Sequence, residues 1–194
     1  MLRRFSTVFL AGSLLAACSS APPPQAFPDL RYNQSPPIRL NVGAVRIAQA
    51  FQPTFAWPQV EQNFPIPPQR AVINWVHDRL QSTDKTSPLT ARVTIQDASV
   101  REVGTPENPA RDDPSVTDHN ERYLGSTAVV IEILDAHDQP VRSASAQSYT
   151  SRDVPAGTPL NTRDQMWYDM TREMVGNLAH DLEQQIESNF APYD

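Results

Sequence analysis

The 194-residue chain predicts a two-layer α+β domain, with about four largely antiparallel strands and two helices on one face. Three observations carry that reading. Apolar residues alternate with polar ones in separate stretches, as half-buried strands require. Two other stretches repeat at intervals of three and four, the spacing of an amphipathic helix. A hairpin pattern late in the chain, flanked by helices, favours α+β over an alternating parallel sheet.

Residues 38–47 read as the first strand, because Ile38, Leu40, Val42 and Ala44 alternate with Arg39 and Asn41. Gly43, followed by Val45 and Ile47, predicts a bulge where the buried face changes parity. Residues 50–68 fit no period. They carry Phe51, Phe55, Trp57 and Phe64 among Pro53, Pro58, Pro65, Pro67 and Pro68, the composition of a long, proline-stiffened loop. Helix is expected over 69–81 from Val72, Trp75, Val76 and Leu80, with Pro67 and Pro68 in the entry turn, where a missing N–H costs little. In residues 89–103, Leu89, Ala91, Val93 and Ile95 alternate with Thr90, Arg92 and Thr94. The pattern then slips to Ala98 and Val100, so a bulge is expected near Gln96 and Asp97.

Residues 104–120 form a polar loop with Pro106, Pro109 and Pro114. Residues 121–134 and 141–152 read as a hairpin around a turn at 135–140. Val129, Val130, Ile131, Ile133 and Leu134 predict a first arm buried in part on both faces, while the second is small and polar. The longest element is a helix over 162–190. Trp167, Met170, Met174, Leu178, Leu182, Ile186 and Phe190 make one apolar stripe, simplest as helix core. Thr162 and Gln165 have the spacing of a capping box.

Candidate chemistry is sparse. There is no His-Glu-x-x-His helix, no cysteine cluster and no nucleophile elbow, and Ser126 after Gly125 reads as an ordinary strand serine. Of the four histidines, His77 and His180 fall on helix surfaces by phase, His137 lies in a turn and His119 in the polar loop. Asp112, Asp113, Asp118, His119 and Glu121 offer oxygen and nitrogen ligands, but miss the alternating spacing and central glycine of a calcium loop. A solvated acidic loop is the simpler reading, so no metal is expected. Phe51, Phe55, Trp57 and Phe64 are the candidate contacts for a partner or a lipid; the alternative is that they fold down to plug a sheet edge or helix gap.

The amino terminus supplies the strongest signal. Arg3 and Arg4 precede an apolar run from Phe5 to Leu15, which is too short to span a bilayer at roughly 20 residues. Leu15-Ala16-Ala17-Cys18 then resembles the cleavage and lipidation site of bacterial lipoprotein signal peptides. The resemblance implies cleavage after residue 17 and acylation of Cys18, with a diacylglyceryl thioether and an N-acyl chain and no other cofactor. Two or more chains hold a protein to a membrane where one is marginal. Ser19, in place of the Asp that retains such proteins at the inner membrane, implies the outer membrane, facing the periplasm. Cys18 is the sole cysteine, so disulfides are excluded.

Residues 18–37 read as a proline-rich tether with a reach of up to ~60 Å, and 38–194 as a single domain. Alternatively, Phe27 to Tyr32 packs onto that domain. The formal charge is −6; loss of the leader with its two arginines leaves 14 basic against 22 acidic side chains, or −8. That balance argues against nucleic acid and against electrostatic attachment to anionic lipid heads.

After the tether, the order of elements resembles the ABC-type transport auxiliary lipoproteins. An early strand and an aromatic, proline-rich stretch lead to Pro67-Pro68-Gln69-Arg70-Ala71-Val72, with further strands and a long closing helix beyond. The resemblance implies a non-enzymatic adaptor or accessory subunit of envelope, lipid-transport machinery with an envelope protein as partner. A periplasmic lipid carrier or chaperone that uses the aromatic loop is the alternative. An envelope hydrolase ranks last, because no nucleophile stands beside an oriented base.

Overall fold

The computed structural model describes residues 26–104 and 120–190. The leader, Cys18, and Asp112, Asp113, Asp118 and His119 of the polar loop lie outside the described residues. The elements are β1 (Ile38–Leu40), β2 (Ala44–Gln49), α1 (Pro68–Arg79), β3 (Leu80–Ser82), β4 (Thr90–Gly104), β5 (Glu121–Leu134), β6 (Pro140–Val154) and α2 (Leu160–Asn189). The main sheet has the order β2-β4-β5-β6. Its β2–β4 pair is parallel and the other two pairs are antiparallel. Both helices pack on one face, so the two-layer α+β class is the one observed.

The first strand departs from expectation. At Gly43 the chain changes sheets instead of bulging within one. β1 pairs in parallel with β3 as a separate two-stranded sheet, and β2 joins the main sheet. The reason is a close backbone approach. Gly43 N donates to Leu89 O at 2.8 Å, and a Cβ at Gly43 would lie 2.5 Å from Ser87 O. The same small sheet ends α1 two residues short of the expected Gln81. Leu80 turns extended, with φ −99° and ψ 122°, to pair with Ile38. The bulge in β4 falls where the pattern slips, between Ile95 and Asp97. Ser99 N donates to Asp97 Oδ1 there at 3.1 Å.

All seven residues of the α2 stripe are buried. At 1.5 Å per residue the 30-residue helix runs ~45 Å. It is entered from Pro159 without a side-chain cap. Thr162 therefore lies inside the first turn, its N–H on Pro159 O at 3.0 Å, and the expected capping box does not mark the entrance. The core has two centres. Trp75, Leu182, Ile95, Ile131 and Ile133 belong to the larger one, with α1 and α2 over β4 and β5. Phe64, Tyr123, Trp167, Met170 and Met174 belong to the smaller one. Gly125 makes room in the second, since a Cβ there would meet Met174 Sδ at 2.4 Å.

Of the two readings of the segment before β1, the packed one describes Phe27 to Tyr32. The Phe27 ring lies 5.2 Å from that of Tyr168, and Leu30 is buried. Asp78 on α1 accepts from Arg31 Nε at 2.8 Å and from Tyr32 N at 2.8 Å. The Arg31 guanidinium thereby holds the Asp78 carboxyl below the usual carboxylate range, against an opposing effect of burial.

The main sheet ends at β2 on one side and β6 on the other, and β4 runs on past its pairing with β2. Beyond Ile95 the loop covers the free side of β4: Ala50 N and Phe51 N both donate to Ile95 O, and Val60 N donates to Val100 O. On the other side β6 ends the sheet, and no described strand pairs with its outer edge.

Candidate functional site

The aromatic loop divides its four candidate residues. Phe64 faces the core: it is 3% exposed and stacks on Trp167 at 5.0 Å and 9°, so it is not open to a partner. Trp57 is exposed at the foot of the loop, beside the segment that covers β4. Phe51 packs partly against the main core. Phe55 stands out, 71% exposed. The loop thus has a buried part and an exposed part.

Phe51 and Phe55 line a groove of about 400 Å³ between the loop and α1. Its apolar walls are completed by Pro53, Pro67 and Ile73. Phe55 adopts φ 54°, the left-handed region that costs a residue with a Cβ roughly 1–2 kcal/mol. A bulky aromatic held both strained and exposed is the kind of outlier that gathers at binding sites.

The polar side of the groove comes from the 3₁₀ turn Glu61–Asn63 and the first turns of α1. Proline density shapes this corner: Pro67 caps α1 and Pro68 occupies its first turn. Glu61 is only 2% exposed. Its Oε2 accepts from Val100 N at 3.2 Å, which ties the turn to β4. Among the described residues its Oε1 is buried without a partner, and so is Gln62 Oε1. An unmet buried acceptor costs ~1–3 kcal/mol. Opposite them, Gln69 Nε2 donates to Phe51 O at 3.3 Å, and Arg70 pairs with Asp29 at 3.1 Å. Periodicity gave no sign of Glu61, because it sits in an aperiodic stretch; a lone acid among prolines and aromatics was the available clue.

The other candidate chemistry disperses. His77, His137 and His180 are exposed, and among the described residues no histidine ring bonds a serine or threonine hydroxyl. His180 meets Gln184 at 3.0 Å. Ser126 lies on the open face of β5 beside Ser99 and Tyr149. Glu121 of the acidic cluster is engaged by Arg163 at 3.2 Å and by Tyr123 Oη. No group of metal-binding side chains occurs among the described residues, nor does any described helix have the length and apolarity to cross a membrane.

No family model matches the chain, and no curated protein does. Solved structures give only distant likenesses. A protein of Caulobacter crescentus CB15 described as a candidate lipoprotein is 12% identical over 73% of this chain and 86% of its own, with a TM-score of 0.34. A minor lipoprotein of Acinetobacter baumannii is 11% identical over 77% and 93%, with a TM-score of 0.38. A Xanthomonas campestris protein of family DUF330 is 8% identical over 81% and 94%, with a TM-score of 0.32. Scores this low carry no function to this chain.

Proposed function

We propose that this chain is a lipid-anchored protein of the bacterial envelope, acylated on Cys18, that acts as a non-enzymatic adaptor for an envelope assembly, of which lipid-transport machinery is the kind the sequence order resembles. The anchorage rests on Leu15-Ala16-Ala17-Cys18 and the leader before it. Because Phe27 to Tyr32 pack on the domain, only residues 18–25 separate the acyl chains from the globule. That is a reach of ~25 Å in extended geometry, so the domain works close to its membrane. Ser19 favours the outer membrane.

The observation that supports docking is the free edge of β6. Its central stretch, Ser143 to Ser151, carries neither charge nor proline. Edge strands are normally blunted by lysine, proline, a bulge or a covering segment. Here the loop covers β4 beyond Ile95, whereas β6 has no covering segment among the described residues, although Asn189 Nδ2 of α2 donates to Ser143 O at 3.2 Å. An extended segment of an envelope protein can add to β6 as a fifth strand, with backbone hydrogen bonds supplying affinity.

The carrier reading is weaker on size. Pockets for drug-sized ligands run from roughly 300 to 1,000 Å³. A groove of about 400 Å³ sits at the small end and suits a side chain better than a two-chain lipid. Photo-crosslinking in intact cells tests the adaptor. A photoreactive residue at Gln147 on β6 should trap a discrete envelope protein, while one at the exposed Glu187 on α2 should not. Failure to trap any protein from several β6 positions would reject docking through this edge.

A further inference from the structure

Resting on the lipid-anchored reading, we propose that Phe55 and Trp57, in the exposed stretch 54–57 of the proline loop, sit in the headgroup zone of the phospholipid bilayer that holds the acyl chains of Cys18, and so fix how the domain stands on its membrane. The first observation is where the tether leaves the domain. Asp29 pairs with Arg70 at 3.1 Å, Asn74 Nδ2 donates to Leu30 O at 3.1 Å, and Asp78 accepts from Arg31 Nε and Tyr32 N. Contacts at Arg70, Asn74 and Asp78 fall about one helical turn apart, so the segment runs along α1 in the same direction. Followed backward, the chain leaves at the amino-terminal end of α1. The loop is fastened at that same end: Gln69 Nε2 donates to Phe51 O at 3.3 Å, and Arg70 and Phe55 share the wall of one groove. Residues 18–25 reach only ~25 Å, so the two aromatics lie within range of the surface that the acyl chains enter.

The second observation is charge. From Ile47 to Gln69 the sole charged side chain is Glu61, and it is only 2% exposed. A chain of formal charge −6 gains nothing electrostatically from anionic headgroups, and an exposed acid here would be repelled by them. The loop instead presents aromatics, prolines and neutral polar side chains. Phe55 is 71% and Trp57 58% exposed. Tryptophan gathers at the membrane interface, because its ring is apolar and its N–H is polar. Pro53 and Pro58 stiffen the stretch, which lowers the entropy lost when it is held. Arg70, exposed at the groove's rim, is a cation that suits a headgroup phosphate. Seating this side of the domain leaves β6, at the far end of the order β2-β4-β5-β6, away from the lipid and open to a partner strand.

Trp57 is its own probe, since Trp75 and Trp167 are 1% and 9% exposed. The acylated protein is reconstituted into phosphatidylcholine vesicles, and flotation reads its attachment. Lipids brominated near the headgroup end of their acyl chains should quench its fluorescence at least about twofold more than lipids brominated at the chain ends, as an interfacial depth of about 5–10 Å requires. Aqueous iodide should quench it little. Trp57→Phe should abolish the lipid quenching, and Phe55→Asp should remove most of it. Aspartate tolerates the left-handed φ of 54° at this site, so that variant charges the surface without disturbing the fold, and its circular dichroism should match the parent's. Protein that floats while Trp57 stays open to iodide and untouched by bromine would overturn the proposal and leave the anchor standing; a stretch that serves a protein partner instead gives that result. Undiminished lipid quenching in Phe55→Asp would also overturn it. Protein that does not float fails the anchored reading itself, and the proposal with it.

Discussion

Replacing Phe64 and Phe55 in turn with alanine asks whether one loop holds two energetically different phenylalanines. Phe64 is 3% exposed and Phe55 71%. Phe64 stacks on Trp167 at 5.0 Å and meets Tyr123 edge-on at 6.3 Å. Truncating a buried phenylalanine costs ~3–5 kcal/mol, part transfer and part cavity; the lost ring contacts place this one in the upper half of that range. For a domain of this size each kcal/mol moves the melting temperature by about 2–4 °C, so Phe64→Ala should lower it by roughly 8–20 °C. Phe55→Ala leaves no cavity and should stay within about 0.5 kcal/mol. Urea unfolding of the full chain, followed by far-UV circular dichroism, gives both values if the slopes agree between variants. Equal losses in the two variants would refute the division of the loop into a core half and an exposed half.

Three further outcomes follow from single contacts. Gly43→Ala should cost about 1–3 kcal/mol and more than Gly125→Ala, because Gly43 faces the Ser87 carbonyl whereas Gly125 faces the flexible ends of Met170 and Met174; thermal melts rank the pair. Phe55→Gly should be more stable than Phe55→Ala by about 1 kcal/mol, since only the backbone conformation at φ 54° separates them; the same urea experiment reads the difference. Asp78 has a depressed pKa in the folded state, so its pairing with Arg31 and Tyr32 N is fully present above the unfolded carboxyl value near ~4 and is lost as pH falls through the lower folded value. Hydrogen exchange should therefore show residues 27–32 losing protection in that acid window before the sheet does, and Asp78→Asn should show the loss already at neutral pH.

What was legible in the sequence was whatever repeats. The α2 stripe from Trp167 to Phe190 and the slip in β4 after Ile95 were readable because each residue's face follows from local periodicity. The corner at Gly43 is marked by its glycine, but the glycine alone does not say which feature it serves. A glycine suits both a bulge and a change of sheet, and the position of the Ser87 carbonyl, 44 positions away, decides between them. Packing of Phe27 to Tyr32 was likewise decided at long range, by Asp78 on α1. In the loop, sequence identified an aromatic-rich stretch but not which ring turns inward. Nothing local marks Glu61, since its burial depends on Val100 N across the chain.

The most direct test of the account is intact-mass and peptide mass spectrometry of the protein isolated from its native membranes. Residues 1–17 should be absent and Cys18 should be the first residue, carrying a diacylglyceryl thioether and an N-acyl chain. An intact leader, or an unmodified Cys18 in the mature protein, would contradict it.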